Sequence, residues 1–270
     1  MSLVNNDANH EPIASVFKLL SSDAELVIPV LEELMLKHLS KAAHILDIGC
    51  SNGKIVQQLQ IRGYQATGLD VSEELLRFAR TNVPEAEFIL GDIRNFKSPP
   101  TYDAVYSKNV FSFFLNLDEL TTVFQNVYAA MHDNALFVFS MASADITSHD
   151  GEPQDADRFN VKDLGSHDGE PQFLEGYTVN EKFVYIERSK YNPEERIRKI
   201  EVTTFELING IWKRSDSTVL EKDYFLSEIK SALENVGFIE INDYNSKDFG
   251  DAYKTDDRLC VVCRKPSLSQ

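Results

Sequence analysis

The sequence predicts an α/β fold in which helices cover both faces of a doubly wound, mostly parallel sheet. Short apolar runs recur along the chain, and each is followed by a turn and by apolar residues at helical spacing. The first run, residues 45–48, leads through Gly49 and Gly53 into a periodic helical segment. Strands that alternate with helices in this way are typical of a parallel sheet, which binds ligands beyond the carboxyl ends of its strands.

The predicted elements follow one another in a regular order. Seven strands of the sheet are expected at residues 45–48, 64–69, 88–90, 102–106, 135–139, 238–241 and 259–263. Ser72 is a suitable N-cap for a helix, residues 120–131 carry an apolar helical stripe, and Gly237 ends a last helix. Residues 182–220 alternate like strands around the hairpin turn Asn209-Gly210, which predicts a small separate antiparallel sheet.

The glycine loop at residues 47–54 is the most informative stretch. Its glycines are four residues apart, so the dinucleotide spacing Gly-x-Gly-x-x-Gly is absent. Asp47 would repel a pyrophosphate and attract a cation. S-adenosylmethionine carries a sulfonium and an ammonium but no phosphate, and the charge of the loop therefore favours it over a nucleotide.

This loop resembles motif I of the class I S-adenosylmethionine-dependent methyltransferases, in which an acid and one apolar residue precede Gly-Cys-Gly-x-Gly. Ser51 replaces the middle glycine, which requires an ordinary backbone conformation at this position. The resemblance implies a Rossmann-like fold whose last strand is inserted antiparallel, with S-adenosylmethionine as the cofactor. It covers nearly the whole chain apart from residues 1–15 and 142–175.

The resemblance also implies where the cofactor binds. Asp70 lies about 20 residues beyond the glycine loop and suits the ribose hydroxyls. Gly91-Asp92-Ile93 resembles the adenine site of the family, and Ser107 corresponds to a position that contacts the methionine part. The expected cofactor-binding residues are Asp47, Gly49, Cys50, Ser51, Asn52, Gly53, Asp70, Val71, Asp92, Ile93 and Ser107.

The same resemblance divides the chain into three parts. Residues 1–40 are expected to form a helical lid, residues 41–141 with 221–270 the cofactor-binding core, and residues 142–220 an inserted acidic loop and antiparallel roof. Such an insertion resembles the small-molecule branch of the family, which includes glycine N-methyltransferases and amino-sugar N,N-dimethyltransferases. Candidate substrate-pocket side chains are Phe111, Phe113 and Phe114 after the fourth strand, and Tyr177, Phe183, Tyr185 and Trp212 in the roof.

No side chain is an unambiguous catalytic base. The heptapeptide Ser-His-Asp-Gly-Glu-Pro-Gln occurs at residues 148–154 and again at 166–172, which predicts a duplicated surface loop. In the alternative interpretation, His149 or His167 reaches the pocket and acts as an acid, a base or a metal ligand beside its aspartate. Tyr185 is the third catalytic candidate.

The composition excludes several partners. The chain has 43 acids and 27 bases, a net charge of −16 and no cluster of Lys and Arg, so neither nucleic acid nor an anionic membrane is expected. No apolar run approaches the roughly 18 residues that cross a bilayer, and the first residues do not resemble a signal peptide. Cys260 and Cys263 lack a second pair to complete four ligands, so no metal is expected. The expected partner is a small-molecule substrate in the cytoplasm, with a homodimer as one assembly.

The expected function is transfer of a methyl group from S-adenosylmethionine to N or O of a small molecule by in-line displacement. Two alternatives on the same fold are a non-catalytic S-adenosylmethionine-binding protein and an aminopropyltransferase-type enzyme. The second would need paired acids after the fourth strand, where Ser107-Lys108-Asn109 supplies none. A nicotinamide dehydrogenase is disfavoured by the glycine spacing.

Overall fold

The computed structural model describes residues 24–146, 173–179, 183–245, 249 and 258–267. Within these residues the helices are α1 (Ala24–Leu34), α2 (Lys54–Ile61), α3 (Glu73–Asn82), α4 (Leu117–Ala130) and α5 (Leu226–Val236), with short 3₁₀ turns at Leu36–His38 and Phe111–Phe113. The strands are β1 (His44–Ile48), β2 (Gln65–Asp70), β3 (Glu87–Leu90), β4 (Tyr102–Lys108), β5 (Met131–Met141), β6 (Phe173–Val179), β7 (Phe183–Asn192), β8 (Ile197–Ile208), β9 (Ile211–Lys222), β10 (Ile239–Asn245) and β11 (Leu259–Arg264).

The larger sheet has seven strands in the order β10-β11-β5-β4-β1-β2-β3. Strands β1 to β5 pair in parallel, whereas β11 is antiparallel to both of its neighbours. The last strand of the chain therefore lies between β5 and β10, as the family resemblance implied. The strand order reverses beside β1, which places a crevice above the carboxyl ends of β1 and β4.

Helices cover both faces of this sheet because successive strand residues point to opposite sides. Leu46 and Ile48 of β1 pack into the core under α4 and α5, together with the rings of Phe111 and Phe137, which meet edge to face. Ile45 belongs to a second core, formed with the apolar faces of α1, α2 and α3. The predicted doubly wound α/β fold is confirmed.

The smaller sheet is antiparallel, with four strands in the order β6-β7-β8-β9. Asn209 and Gly210 have φ of 52° and 80°, the pair of left-handed residues that a two-residue hairpin needs. The predicted antiparallel insertion is therefore present, and we call this four-stranded sheet the roof. The division into lid, core and roof at the predicted boundaries remains a prediction.

The roof returns to the core through a tightly bonded junction. Tyr224, fully buried, donates from its hydroxyl to the Phe114 carbonyl at 2.6 Å. Leu226 N donates to the Asp145 carboxylate at 2.6 Å, which anchors the start of α5. Arg196 forms two bonds of 2.6 and 2.9 Å with Glu228. These contacts fix the end of β9 against the segment that follows β4.

Along the parts of the chain that the structure describes, no helix is both long and apolar enough to cross a bilayer.

Candidate active site

A cavity of about 380 Å³ lies at the carboxyl ends of β1, β2, β3 and β4. Its volume falls within the range of small-molecule sites. Every predicted cofactor-binding residue except Gly53 and Ser107 lines it: Asp47, Gly49, Cys50, Ser51, Asn52, Asp70, Val71, Asp92 and Ile93. Three acids from the ends of three adjacent strands therefore share one cavity.

The glycine loop carries left-handed backbone at every second residue. Gly49, Ser51 and Gly53 have φ of 75°, 51° and 76°. The expectation that Ser51 has an ordinary conformation was wrong, because the loop places position 51 in the same left-handed region as its glycines. A non-glycine residue pays about 1–2 kcal/mol there. A Cβ at Gly49 would lie 2.3 Å from Cγ2 of Val110, so this position has no room for a side chain.

Gly53 and Ser107 support the cavity without lining it. Gly53 is the N-cap of α2, and a Cβ there would lie 2.9 Å from the ring of Phe88. Ser107 is completely buried and donates from Oγ to the Ile48 carbonyl at 3.0 Å. Both residues therefore hold strands and helix in place around the site.

Asp70 is oriented by the backbone on both of its oxygens. Its Oδ2 accepts from Ser51 N at 2.9 Å and its Oδ1 from Ser72 N at 2.9 Å. The side chain is 8% exposed at the edge of the cavity. Bonds from backbone N–H groups to a carboxylate are strong, so the charge is positioned before any ligand arrives.

Asp47 is the most deeply buried acid of the site. It is 2% exposed, and its Oδ2 has no hydrogen-bond partner within the described residues. Burial in the first place, and the negative charge of Asp70 in the second, raise the pKa of Asp47 to about 8. A buried carboxylate oxygen in this state fits the cationic part of a ligand, which would restore the charged form.

Asp92 is hydrogen-bonded by Arg94, a residue that the sequence analysis did not identify. Its Oδ1 accepts from Arg94 N at 2.8 Å, and its Oδ2 accepts from the guanidinium of Arg94 at 2.8 and 2.5 Å. Arg94 also reaches Glu119 at 3.2 Å and lines the cavity. Asn126 holds this turn by donating to the Ile93 carbonyl at 2.8 Å. The predicted adenine acid therefore lies in an ion-pair network.

A second group of lining residues, which we call the distal end, comes from distant parts of the chain. The 3₁₀ turn after β4 contributes Phe113, and Phe114 follows directly after the turn, whereas Phe111 is buried in the core. Lys108, Glu221 and Arg258 come from the ends of β4 and β9 and from the residue before β11. Sequence reasoning noted Lys108 only for the missing acid, and no local motif marks Glu221 or Arg258.

The roof candidates lie away from the cavity where the structure describes their side chains. Tyr185 is buried beside Phe183 and Val202 and donates to Glu187. Burial, and secondarily the charge of Glu187, raise the pKa of Tyr185 far above its ordinary value. Trp212 is 46% exposed beside the hairpin turn. Of the roof strands, β9 contributes the described lining residue, Glu221.

His149, His167 and the side chain of Tyr177 lie outside the described residues, so the catalytic hypothesis for the repeated heptapeptide stays a prediction. Across the described ranges, no three His, Cys, Asp or Glu side chains are grouped closely enough to hold a metal ion. Cys260 and Cys263 are buried free thiols whose pKa burial raises.

Comparison with known sequences gives a family match over part of the chain. Residues 45–134 match the family model described as a methyltransferase domain. Trans-aconitate 2-methyltransferase of Paracidovorax citrulli (strain AAC00-1) is 38% identical over 74 residues, which cover 27% of this chain and 28% of that protein. The putative methyltransferase YqeM of Bacillus subtilis (strain 168) is 24% identical over 111 residues, 39% of this chain and 45% of that protein. The chain thus aligns with less than half the length of these curated relatives.

Comparison with solved structures covers nearly the whole chain. The sugar N-methyltransferase KedS8 from Streptoalloteichus sp ATCC 53650 superposes with a TM-score of 0.69 at 15% identity, over 99% of this chain and 98% of that one. Together with the domain match, this likeness confirms the resemblance seen in the glycine loop. Residues 45–134 therefore match a methyltransferase domain, in a chain that shares its fold with a solved sugar N-methyltransferase.

Proposed function

We propose that this protein transfers a methyl group from S-adenosylmethionine to N or O of a small molecule. The observation that carries the proposal is the convergence of Asp47, Asp70 and Asp92 on one cavity beside the glycine loop. Three acids suit a donor that carries positive charge and no phosphate. The domain match at residues 45–134 supports the same reaction class.

In this proposal, different residues of the cavity bind different parts of the cofactor. Asp47 and the backbone from Gly49 to Gly53 hold the methionine part, and Asp70 accepts from the ribose hydroxyls. Asp92 and Ile93 contact the adenine. The fit is supported by the buried oxygen of Asp47 and by the close approach that Gly49 permits. When bound, S-adenosylmethionine supplies a methyl group made reactive by its sulfonium.

The protein contributes alignment and exclusion of water rather than covalent chemistry. Phe113 and Phe114 give the distal end an apolar surface, Val110 lies against Gly49, and Ala24 and Val27 of α1 line the same cavity. Holding the acceptor in line with the methyl group can supply about 7–11 kcal/mol in favourable cases. In this proposal α1 belongs to a lid over the cofactor, and the roof closes the substrate side.

The acceptor atom stays open between nitrogen and oxygen. The names of the relatives include both a trans-aconitate 2-methyltransferase and a sugar N-methyltransferase. An amine needs only to arrive unprotonated, whereas a hydroxyl gains from a base.

Calorimetric titration of S-adenosylmethionine into wild type, Asp70→Ala and Asp103→Ala tests the proposal. Asp103 is the matched control, because its Oδ2 also accepts a backbone N–H, from His44 at 2.8 Å, at the opposite edge of the sheet. We expect Asp70→Ala to weaken binding at least tenfold, since each bond to a charged acceptor contributes about 1.5–3 kcal/mol. Asp103→Ala should keep wild-type affinity. No binding by wild type, or equal binding by Asp70→Ala, would contradict the proposal.

A further inference from the structure

The turn after β3 carries an acid and a base that are bonded to each other beside the cavity. Asp92 and Arg94 are two residues apart in the chain, and both line the cavity. Nε and Nη2 of Arg94 donate to Oδ2 of Asp92 at 2.8 and 2.5 Å, and Arg94 N donates to Oδ1 at 2.8 Å. One residue therefore holds both oxygens of the carboxylate, through its side chain and its backbone.

Helix α4 fixes this turn from the other side. Nη1 of Arg94 donates at 3.2 Å to Glu119 in the first turn of α4, so the guanidinium is bonded along two of its edges. Two helical turns further on, Asn126 donates to the carbonyls of Ile93 and Arg94, each at 2.8 Å. Asn126 is buried and accepts from Lys97 at 2.6 Å. The position of Arg94 is thus set by the protein before any ligand binds.

This network decides which kind of group Asp92 can recognise. An ionised carboxylate accepts hydrogen bonds and donates none. The adjacent guanidinium offsets the negative charge of Asp92, so the acid suits a neutral donor such as the amino group of a base. The side chains of Asp92 and Arg94 are 25% and 31% exposed, which leaves them open to a ligand in the cavity.

We propose that Arg94 is a positioning residue that makes the cavity selective for adenine, the 6-aminopurine of S-adenosylmethionine. Asp92 accepts from the 6-amino group, and Arg94 keeps the carboxylate ionised and correctly oriented without touching the base. A purine with a 6-oxo group presents an acceptor to this acceptor and is rejected. The inference rests on the proposed methyl transfer and specifies how the same site recognises its cofactor.

The test compares, by calorimetry on the full chain, the affinities for S-adenosylhomocysteine and for S-inosylhomocysteine, in which a 6-oxo group replaces the 6-amino group. The ratio of the two affinities reports base selectivity, whereas a general disturbance of the cavity lowers both affinities and leaves the ratio unchanged. We expect wild type to prefer S-adenosylhomocysteine at least about tenfold. Arg94→Met should lower the ratio at least about fivefold. Arg94→Lys, which keeps a cation beside Asp92, should retain more of the ratio than Arg94→Met.

Glu119→Gln is a second variant that tests the same network without removing Arg94. It takes away the charge at the other edge of the guanidinium and should lower the ratio about twofold. Arg214→Met is the matched control, because Arg214 also bonds an acid two residues away. Its Nε and Nη2 donate to Asp216 at 2.9 Å each, on an exposed part of β9. This control should leave both affinities unchanged.

Three results would overturn the inference. They are equal binding of the two ligands by wild type, a ratio that stays unchanged in Arg94→Met and Glu119→Gln, and a higher affinity of Arg94→Met for S-adenosylhomocysteine. The last result would mean that Arg94 competes with the base for Asp92. Failure of wild type to bind S-adenosylhomocysteine at all would instead refute the proposed function.

Discussion

The two ends of the cavity are built on different principles. At the end that we propose for the cofactor, which we call the cofactor end, Asp47, Asp70 and Asp92 lie at or just beyond the ends of consecutive strands, and the backbone of neighbouring turns holds Asp70 in place. At the distal end, Lys108 and Arg258 are 150 positions apart in the chain, and they line one cavity because β5 alone separates β4 from β11. The comparison teaches that a cofactor site can be specified by local chain geometry, whereas a substrate site can depend on strand order.

The charged side chains of the two ends also differ in how deeply they are buried. Asp47 is almost completely enclosed, and its environment favours the protonated form until a cation arrives. Lys108, Glu221 and Arg258 remain partly exposed. We therefore expect substitutions at the cofactor end to affect folding and cofactor affinity together, and substitutions at the distal end to affect the substrate alone.

Gly49→Ala should have the largest effect, because it breaks the cofactor end sterically. Gly49 and Gly63 both have positive φ, 75° and 89°, but only the Cβ at Gly49 would meet another side chain. We expect Gly63→Ala to cost about 1–2 kcal/mol of unfolding free energy from backbone strain. Gly49→Ala should cost about 1–3 kcal/mol more from the contact with Val110 and should lower S-adenosylmethionine affinity.

Denaturant unfolding and calorimetry measure both quantities for the two glycine variants. Equal destabilisation would show that the loop can move away from Val110, and it would contradict the tight construction of the cofactor end.

The ionisation of Asp47 should make the stability of the protein depend on pH. Its pKa is about 8 in the folded protein, against an ordinary value of 3.8. Between these values the folded state keeps a proton that the unfolded state has lost, so stability falls as pH rises and levels off above about 8. The slope is at most about 1.4 kcal/mol per pH unit. Asp47→Asn should lose this dependence.

Cofactor binding should show the opposite trend. A cationic ligand favours ionised Asp47, so the affinity of wild type for S-adenosylmethionine should increase with pH up to about 8, while Asp47→Asn stays flat. Titrations between about pH 6 and 9 measure this difference. Parallel profiles for the two proteins would exclude Asp47 as the titrating group.

Tyr224→Phe tests whether the distal end can be disturbed alone. The Tyr224 hydroxyl donates to the carbonyl of Phe114, which lines the cavity. Tyr64→Phe is the matched control, because the Tyr64 hydroxyl donates to the Leu36 carbonyl at 3.0 Å on the other face of the sheet. Each should cost about 1–2 kcal/mol of stability.

Only Tyr224→Phe should increase amide hydrogen exchange around Phe114, with S-adenosylhomocysteine affinity unchanged in both tyrosine variants. Thermal unfolding, hydrogen exchange and calorimetry give these readouts. Loss of cofactor affinity in Tyr224→Phe would mean that the two ends of the cavity are not independent.

Ser51→Gly should have the smallest effect on the free energy of unfolding, and it should stabilise the protein. The Ser51 Oγ has no hydrogen-bond partner within the described part of the chain, and its backbone is left-handed. Glycine relieves about 1 kcal/mol of strain, partly offset by its greater freedom when unfolded. Asn209→Gly is the control: Asn already tolerates φ of 52°, so we expect no gain. A lower melting temperature for Ser51→Gly than for wild type would contradict the claim that the backbone at Ser51 is strained.

The cofactor end could be predicted because its signals are local. The spacing of Gly49 and Gly53, and acids at the ends of successive apolar strands, need no knowledge of distant contacts. The conformation of Ser51 was missed, because a serine does not signal positive φ in a sequence. Arg94 was missed because its bonds to Asp92 depend on the turn that follows β3.

By itself the sequence determined the doubly wound fold, the antiparallel roof and the strand ends at which a cationic cofactor would bind. Hydrophobic periodicity and glycine turns act over a few residues, so they can be interpreted along the chain. The tertiary structure alone decided that Lys108, Glu221 and Arg258 line the same cavity. Strand order and register bring those side chains together, and neither leaves a pattern in the residues near them.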